Sequence, residues 1–355
     1  MKKLTAILLV LVLLLAGCGV QQQTTEGTTA GTVPDLFTQP ATVPQTTVAP
    51  QTTAPKVTYP KVLDRDMPRS LGLGFAEQEL VYTGGEMRVQ VMVDANGFSN
   101  IGLGLRLFVD GQPQPYHTAE DETVSYMHTF YPADREVHYY EVIFTPVAGK
   151  AGESVELYVT NVNDPTYFLG DGDFGFRHTF NCVRGVATVR MDAEPPAQTL
   201  PEVSDILLNW NCSYVDVGSS ESVNGSSVQT TVSWKFYIND QKDSYNFYSV
   251  TKEDTIRIRF EITGCPYVNY GFVIYADNQP VSVSEEDLMF FDVQNGKKTV
   301  IEAEISLENF DGKCVVNAVL VPRNHILCGV DNMADLSATK TSYFAAVEEY
   351  WDLFE

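Results

Sequence analysis

Three observations predict an all-β fold for this 355-residue chain. Apolar and polar residues alternate through Val89, Val91 and Val93, through Ile256, Ile258 and Phe260, and through Val232, Trp234, Phe236 and Ile238. That period of two is the signature of a half-buried strand. Asp110-Gly111 ends the apolar run from Leu103 to Val109, and it suits a tight hairpin whose central residues need positive φ. The phrase around that turn then returns 167 residues later. Together these features predict two tandem immunoglobulin-like β-sandwich domains related by internal duplication, with a short C-terminal helix.

From the N-terminus, Lys2 and Lys3 precede an apolar run from Ala6 to Ala16. The run is shorter than the ~20 residues a membrane span needs, so residues 1–17 read as a secretory signal peptide. Its end, Leu15-Ala16-Gly17-Cys18, resembles the lipobox of bacterial lipoproteins. The resemblance covers only this leader. It implies cleavage before Cys18, a diacylglycerol thioether (palmitate-type acyl chains) on that cysteine, and a lipid-anchored chain on the extracytoplasmic face of the bacterial cell membrane. Two acyl chains give stable anchoring where one is marginal.

Residues 18–60 are rich in Thr, Pro and Gln, with few charges and no strand or helix period. Such a segment buries too little apolar area to offset its ordering entropy, so it reads as a disordered tether that the prolines keep extended.

Residues 61–195 form the first sandwich domain and 200–355 the second, separated by the Pro-rich break Asp192-Ala193-Glu194-Pro195-Pro196. At the offset of 167, Val89, Val91, Val93 and Gly97 meet Ile256, Ile258, Phe260 and Gly264. Gly104, Leu107, Phe108, Asp110, Gln112 and Pro113 meet Gly271, Ile274, Tyr275, Asp277, Gln279 and Pro280. No gap is needed over this stretch, which speaks for a repeat. Residues 152–159 resemble 312–319, at an offset of 160. Gly111 becomes Asn278 in the second copy. Both residues tolerate positive φ, so the shared requirement is the turn rather than a ligand. At the end of the chain, Phe344, Val347, Trp351 and Phe354 fall three and four apart, the spacing of one face of a helix. That face would pack on the second domain or dock a partner.

The net charge of −23 argues against a nucleic-acid partner, since phosphate binding needs a basic face. Besides Cys18 there are Cys182, Cys212, Cys265, Cys314 and Cys328, with no CxxC pair or Cys/His metal spacing. Export permits disulfides; the four in the second domain allow three pairings, and buried free thiols are the alternative. There is no GxSxG or HExxH signature, so no catalytic residue is assigned. A carboxylate-dependent hydrolase would need an Asp/Glu pair whose placement a sequence does not reveal.

The aromatic stretch Tyr126, His128, Phe130 and Tyr131, continued by Tyr139 and Tyr140, would stack on sugar rings or a peptide if exposed, and would be core if buried. Asp164, Asp171 and Asp173 offer oxygen ligands to a structural calcium ion, or Asx turns in a polar loop. No other cofactor is implied. The reading is therefore a cell-surface lipoprotein that displays two modules for non-catalytic binding, adhesion or assembly. Its partners are the membrane, through Cys18, and a surface protein or glycan.

Overall fold

The computed structural model describes residues 56–57, 70–98, 101–165, 184–203, 208–216, 233–238, 240–242, 247–250, 255–263, 269–281, 289–294, 297–306, 313–323 and 338–346. Every regular element among them is a strand. The first eleven are β1 (Lys56–Val57), β2 (Ser70–Phe75), β3 (Glu79–Tyr82), β4 (Met87–Asn96), β5 (Leu103–Val109), β6 (Gln112–Gln114), β7 (His117–Thr118), β8 (His128–Phe130), β9 (Glu136–Phe144), β10 (Ser154–Asn163) and β11 (Arg184–Met191). The rest are β12 (Leu208–Asp216), β13 (Ser233–Ile238), β14 (Gln241–Lys242), β15 (Phe247–Val250), β16 (Thr255–Thr263), β17 (Asn269–Ala276), β18 (Gln279–Pro280), β19 (Met289–Asp292), β20 (Lys297–Ser306), β21 (Lys313–Pro322) and β22 (Ala338–Ala346). Residues 51–355 cluster as one compact unit.

In the first half, one sheet runs β2-β4-β9-β7 and the other β3-β11-β10-β5-β6, with β8 beside β5. The alternation read from sequence puts Val89, Val91, Val93 and Ala95 of β4 on the inner face. They share a core with Leu103, Leu105, Leu107 and Val109 of β5 and Leu157 and Val159 of β10. Two sheets over one core make a β-sandwich.

The second half repeats the order of one sheet; in the other, β12 at the start of the half takes the place beside β20 that β7, after β6, takes beside β9. Its sheets run β12-β20-β16-β13-β14 and β1-β15-β22-β21-β17-β18, with β19 beside β17. The strands β3, β11, β10, β5 and β6 thus have β15, β22, β21, β17 and β18 as positional counterparts. Even the one parallel pair recurs, β3 with β11 and β15 with β22. Ile256, Ile258, Phe260 and Ile262 of β16 are buried as their alternation requires. Phe260 meets Phe272 of β17 edge-on at 5.0 Å.

Three features differ from expectation. The pairing of Leu107 with Val159 and of Ile274 with Ala318 sets β10 against β21 at an offset of 159, not 160. One residue matters here, because a one-residue slip turns every side chain to the other face. The helix expected near the C-terminus is not formed over 338–346. That stretch is β22, paired antiparallel with β21 and parallel with β15, and Phe344 lies in it. Val347, Trp351 and Phe354 lie outside the described residues. Thr339, Thr341, Tyr343 and Phe344 favour a pleated surface, and pairing on both edges overrides the helical spacing. Finally, Lys56 and Val57, within the expected tether, pair with Ser249 and Tyr248 of β15.

Candidate functional site

The aromatic stretch does not present a row of exposed rings. Tyr126 is 4% exposed, and burial pushes its hydroxyl up to about 12. His128 is 9% exposed, and its Nε2 lies 2.9 Å from the Tyr116 carbonyl oxygen. The Tyr116 hydroxyl donates to the Leu105 carbonyl at 2.8 Å, and burial raises it well above the ordinary phenol range. Phe130 is half-buried, its ring 4.4 Å from that of Tyr140, and Tyr140 stacks on His138. Tyr116 belongs to the first core, and Phe130 and Tyr140 pack against it. Tyr131 and Tyr139 are the exceptions, at 69% and 57% exposed.

Among the acidic candidates, Asp164 follows β10 at φ 51° and donates its backbone N–H to the Gly102 carbonyl at 2.7 Å. Asp171 and Asp173 lie outside the described residues, as do Cys18, Cys182, Cys265 and Cys328. Among the described residues no group of three or more His, Cys, Asp or Glu is placed to hold a metal ion. Cys212 of β12 is a free thiol, raised by burial against an opposing hydrogen bond with Tyr214.

The outward face of the sheet β2-β4-β9-β7 carries Met92, Val137 and Tyr139 beside two glycines. Cross-strand register sets Gly74, Met92 and Tyr139 in one row and Gly72, Asp94 and Val137 in the next. Tyr139 is 57% exposed and Val137 51%. The glycines leave β2 without side chains there, so the Tyr139 ring and Met92 stand beside a low, flat surface. Flat apolar surface with an aromatic ring is a common contact for planar ligands.

A second constellation joins the halves. The face of β5 that points away from the first core carries Gly104, Arg106 and Phe108. Phe108, with Tyr158 of β10, packs against Val273, Tyr275, Val319 and Val321. This explains why β5 is buried on both faces. Both hairpin turns hold positive φ at both central residues, Asp110 at 49° and Gly111 at 76°, Asp277 at 46° and Asn278 at 70°. That is the type I′ pattern. Each turn then reaches into the opposite half. Asp110 accepts two hydrogen bonds from Arg323, the shorter at 2.6 Å from Nη2. Arg323 also lies 4.0 Å over the Phe290 ring. Asn278 accepts from Arg106 Nη2 at 2.7 Å and donates to the Pro165 carbonyl at 3.1 Å. Arg106 is 1% exposed and sits 4.0 Å over the Tyr275 ring. The two turns therefore need different side chains because each meets a different arginine. Sequence reasoning saw the turn and missed the clasp; the departure of Gly111 to Asn278 was its trace.

No family model matches this chain, and no curated protein does either. Solved structures matched at low TM-score include alpha-2-macroglobulin of Escherichia coli activated by porcine elastase (10% identity, TM-score 0.21, covering 80% of this chain and 22% of that one). Others are a protein of Corynebacterium diphtheriae described as membrane anchored (9%, 0.20, 78% and 59%), and the secreted serine protease VesC of Vibrio cholerae (10%, 0.19, 66% and 50%). This chain thus spans between about a fifth and three fifths of the length of those chains.

Proposed function

We propose that this chain is a lipid-anchored surface lipoprotein holding two copies of one immunoglobulin-like sandwich as a single rigid body for non-catalytic binding, adhesion or assembly. The observation that carries the reading is the reciprocal clasp between the halves. Arg106 reaches Asn278 and Arg323 reaches Asp110 across one apolar seam. A clasp of this kind sets the spacing and angle of the outward faces, which is what a display or assembly module needs. The matching order of one sheet in each half, β3-β11-β10-β5-β6 and β15-β22-β21-β17-β18, supports their origin from one duplicated unit.

Anchoring rests on Cys18 and is tested there. In the native host, Cys18→Ser should release the protein to the medium or leave it unprocessed. Membrane fractionation and mass spectrometry of the N-terminus read the result. Normal processing with full membrane retention would remove the anchor from the reading.

A glycan-binding role is favoured by one observation, the exposed rings of Tyr131 and Tyr139. On a glycan array, binding by the Cys18→Ser chain should fall at least tenfold with Tyr139→Ala or Tyr131→Ala, the loss of one stacking contact worth about 1.4 kcal/mol. No binding, or binding indifferent to both changes, rules it out.

A further inference from the structure

The two halves treat one equivalent edge differently. In the second half, the outer edge of β15 is covered by β1, where Lys56 and Val57 pair antiparallel with Ser249 and Tyr248. Its counterpart β3 is parallel to β11 as β15 is to β22. Among the described residues, nothing pairs with the other side of β3.

That edge is a usable template. Thr188 N–H donates to the Gln78 carbonyl and Asp192 N–H to the Tyr82 carbonyl. The backbone groups of residues 78, 80 and 82 therefore face β11. Those of Glu79 and Val81 face the opposite way, because the groups of successive strand residues alternate in direction. They open on a groove of about 410 Å³ lined by residues 77, 79–84 and 86–88. Its charged groups are Glu77, Glu79, Glu86 and Arg88. Arg88 is paired with Glu141 at 2.8 Å, and His117 lies 3.4 Å from Glu86. The rim is thus net acidic, and the Val81 side chain is 45% exposed.

The occupant of the equivalent edge is Lys56-Val57, preceded in sequence by a proline, and the chain carries the Pro-Lys-Val triplet again as Pro60-Lys61-Val62. The stretch 54–69 holds Lys56, Lys61, Arg65 and Arg69 against Asp64 and Asp66, a basic island in a chain of net charge −23. Within one chain the segment would be stretched to its limit to reach the far end of the groove. Ser70 pairs with Asn96, and the groove lies at Met87 and Arg88, at the other end of β4. The span is about 30 Å at ~3.3 Å per residue. Seven residues separate Val62 from Ser70, and the eight Cα steps fully drawn out cover about 28 Å.

We propose that the open edge of β3 accepts the Pro60-Lys61-Val62 segment of a second copy of this chain as an added antiparallel strand, with Lys61 against the Glu77/Glu79/Glu86 rim. The mode is β-strand addition, in which main-chain hydrogen bonds bind and side chains select.

Sedimentation of the full-length Cys18→Ser chain tests this directly. Self-association should rise with concentration. It should weaken about tenfold or more with Lys61→Glu, and equally with Val81→Pro, which removes an N–H pointing away from β11 and so leaves the native pairing intact. Lys61→Glu combined with Glu79→Lys should restore it, which guards against a variant that merely folds poorly. A synthetic peptide of residues 58–64 should compete. A chain that stays monomeric to about 100 μM, or association that neither Lys61→Glu nor Val81→Pro weakens, would overturn the proposal. In the first case the three glutamates are edge-protecting charges. A monomer whose Val81 amide gains hydrogen-exchange protection from Lys61 would equally overturn it, by placing the strand in cis.

Discussion

At the scale of single residues, the chain shows why one side chain must be read with its partner. Asp110 looks like half of a turn signal, and its φ of 49° confirms that role. Its carboxylate also holds Arg323 in a two-point contact, 2.6 and 3.3 Å. Both side chains are about a fifth to a quarter exposed, so the pair lies between a surface pair worth little and a buried pair whose removal leaves a stranded charge. A double-mutant cycle of Asp110→Ala and Arg323→Ala should therefore give a coupling of about 1–2 kcal/mol, read from urea denaturation. A coupling near zero would mean that the seam holds through its apolar residues alone. The turn was legible from Asp-Gly because φ is a local property. Arg323 was not, since it lies 213 residues away and no local rule links the two.

Elements were legible to the extent that their burial is one-sided. β4 and β16 alternate cleanly because each faces one core, and the buried residues are the ones the period selects. β5 and β17 blur the period because both faces are covered, one by a sandwich core and one by the seam. The apolar Phe108 on the nominal outer face was the visible sign. The aromatic stretch divides for the same reason. Tyr126 and His128 are buried, His128 against Tyr116, whereas Tyr139 lies on the outer row of β9. A sequence shows that rings are dense there and does not show which wall of the sandwich each one faces. β22 was misread because the helical spacing drew on Phe344 together with residues beyond the strand, while β21 and β15 supply pairing on both sides.

For the whole molecule, an all-β sandwich was legible from the strand period, but not that the two halves share a buried seam. That seam buries Phe108, Tyr158 and Tyr275 almost completely, with Val273, Val319 and Val321. At about 1.5–3 kcal/mol for each fully buried apolar side chain, the six contribute on the order of 10 kcal/mol as an upper estimate. That is comparable to the entire stability of a typical domain, about 5–15 kcal/mol. Neither half can unfold without exposing the other's share, so the Cys18→Ser chain should melt in one calorimetric transition with matching calorimetric and van 't Hoff enthalpies. Gly271→Ala tests the cause. A Cβ on Gly271 would lie 2.5 Å from the Gly111 carbonyl oxygen, backbone against backbone with no flexible side chain to yield. The substitution should cost about 1–3 kcal/mol and, by prising the Asp110 hairpin from β17, resolve the single transition into two. Two transitions already in the unaltered chain would show that the halves are independent. One unshifted transition in Gly271→Ala would show that the close approach of the two glycines does not hold them together.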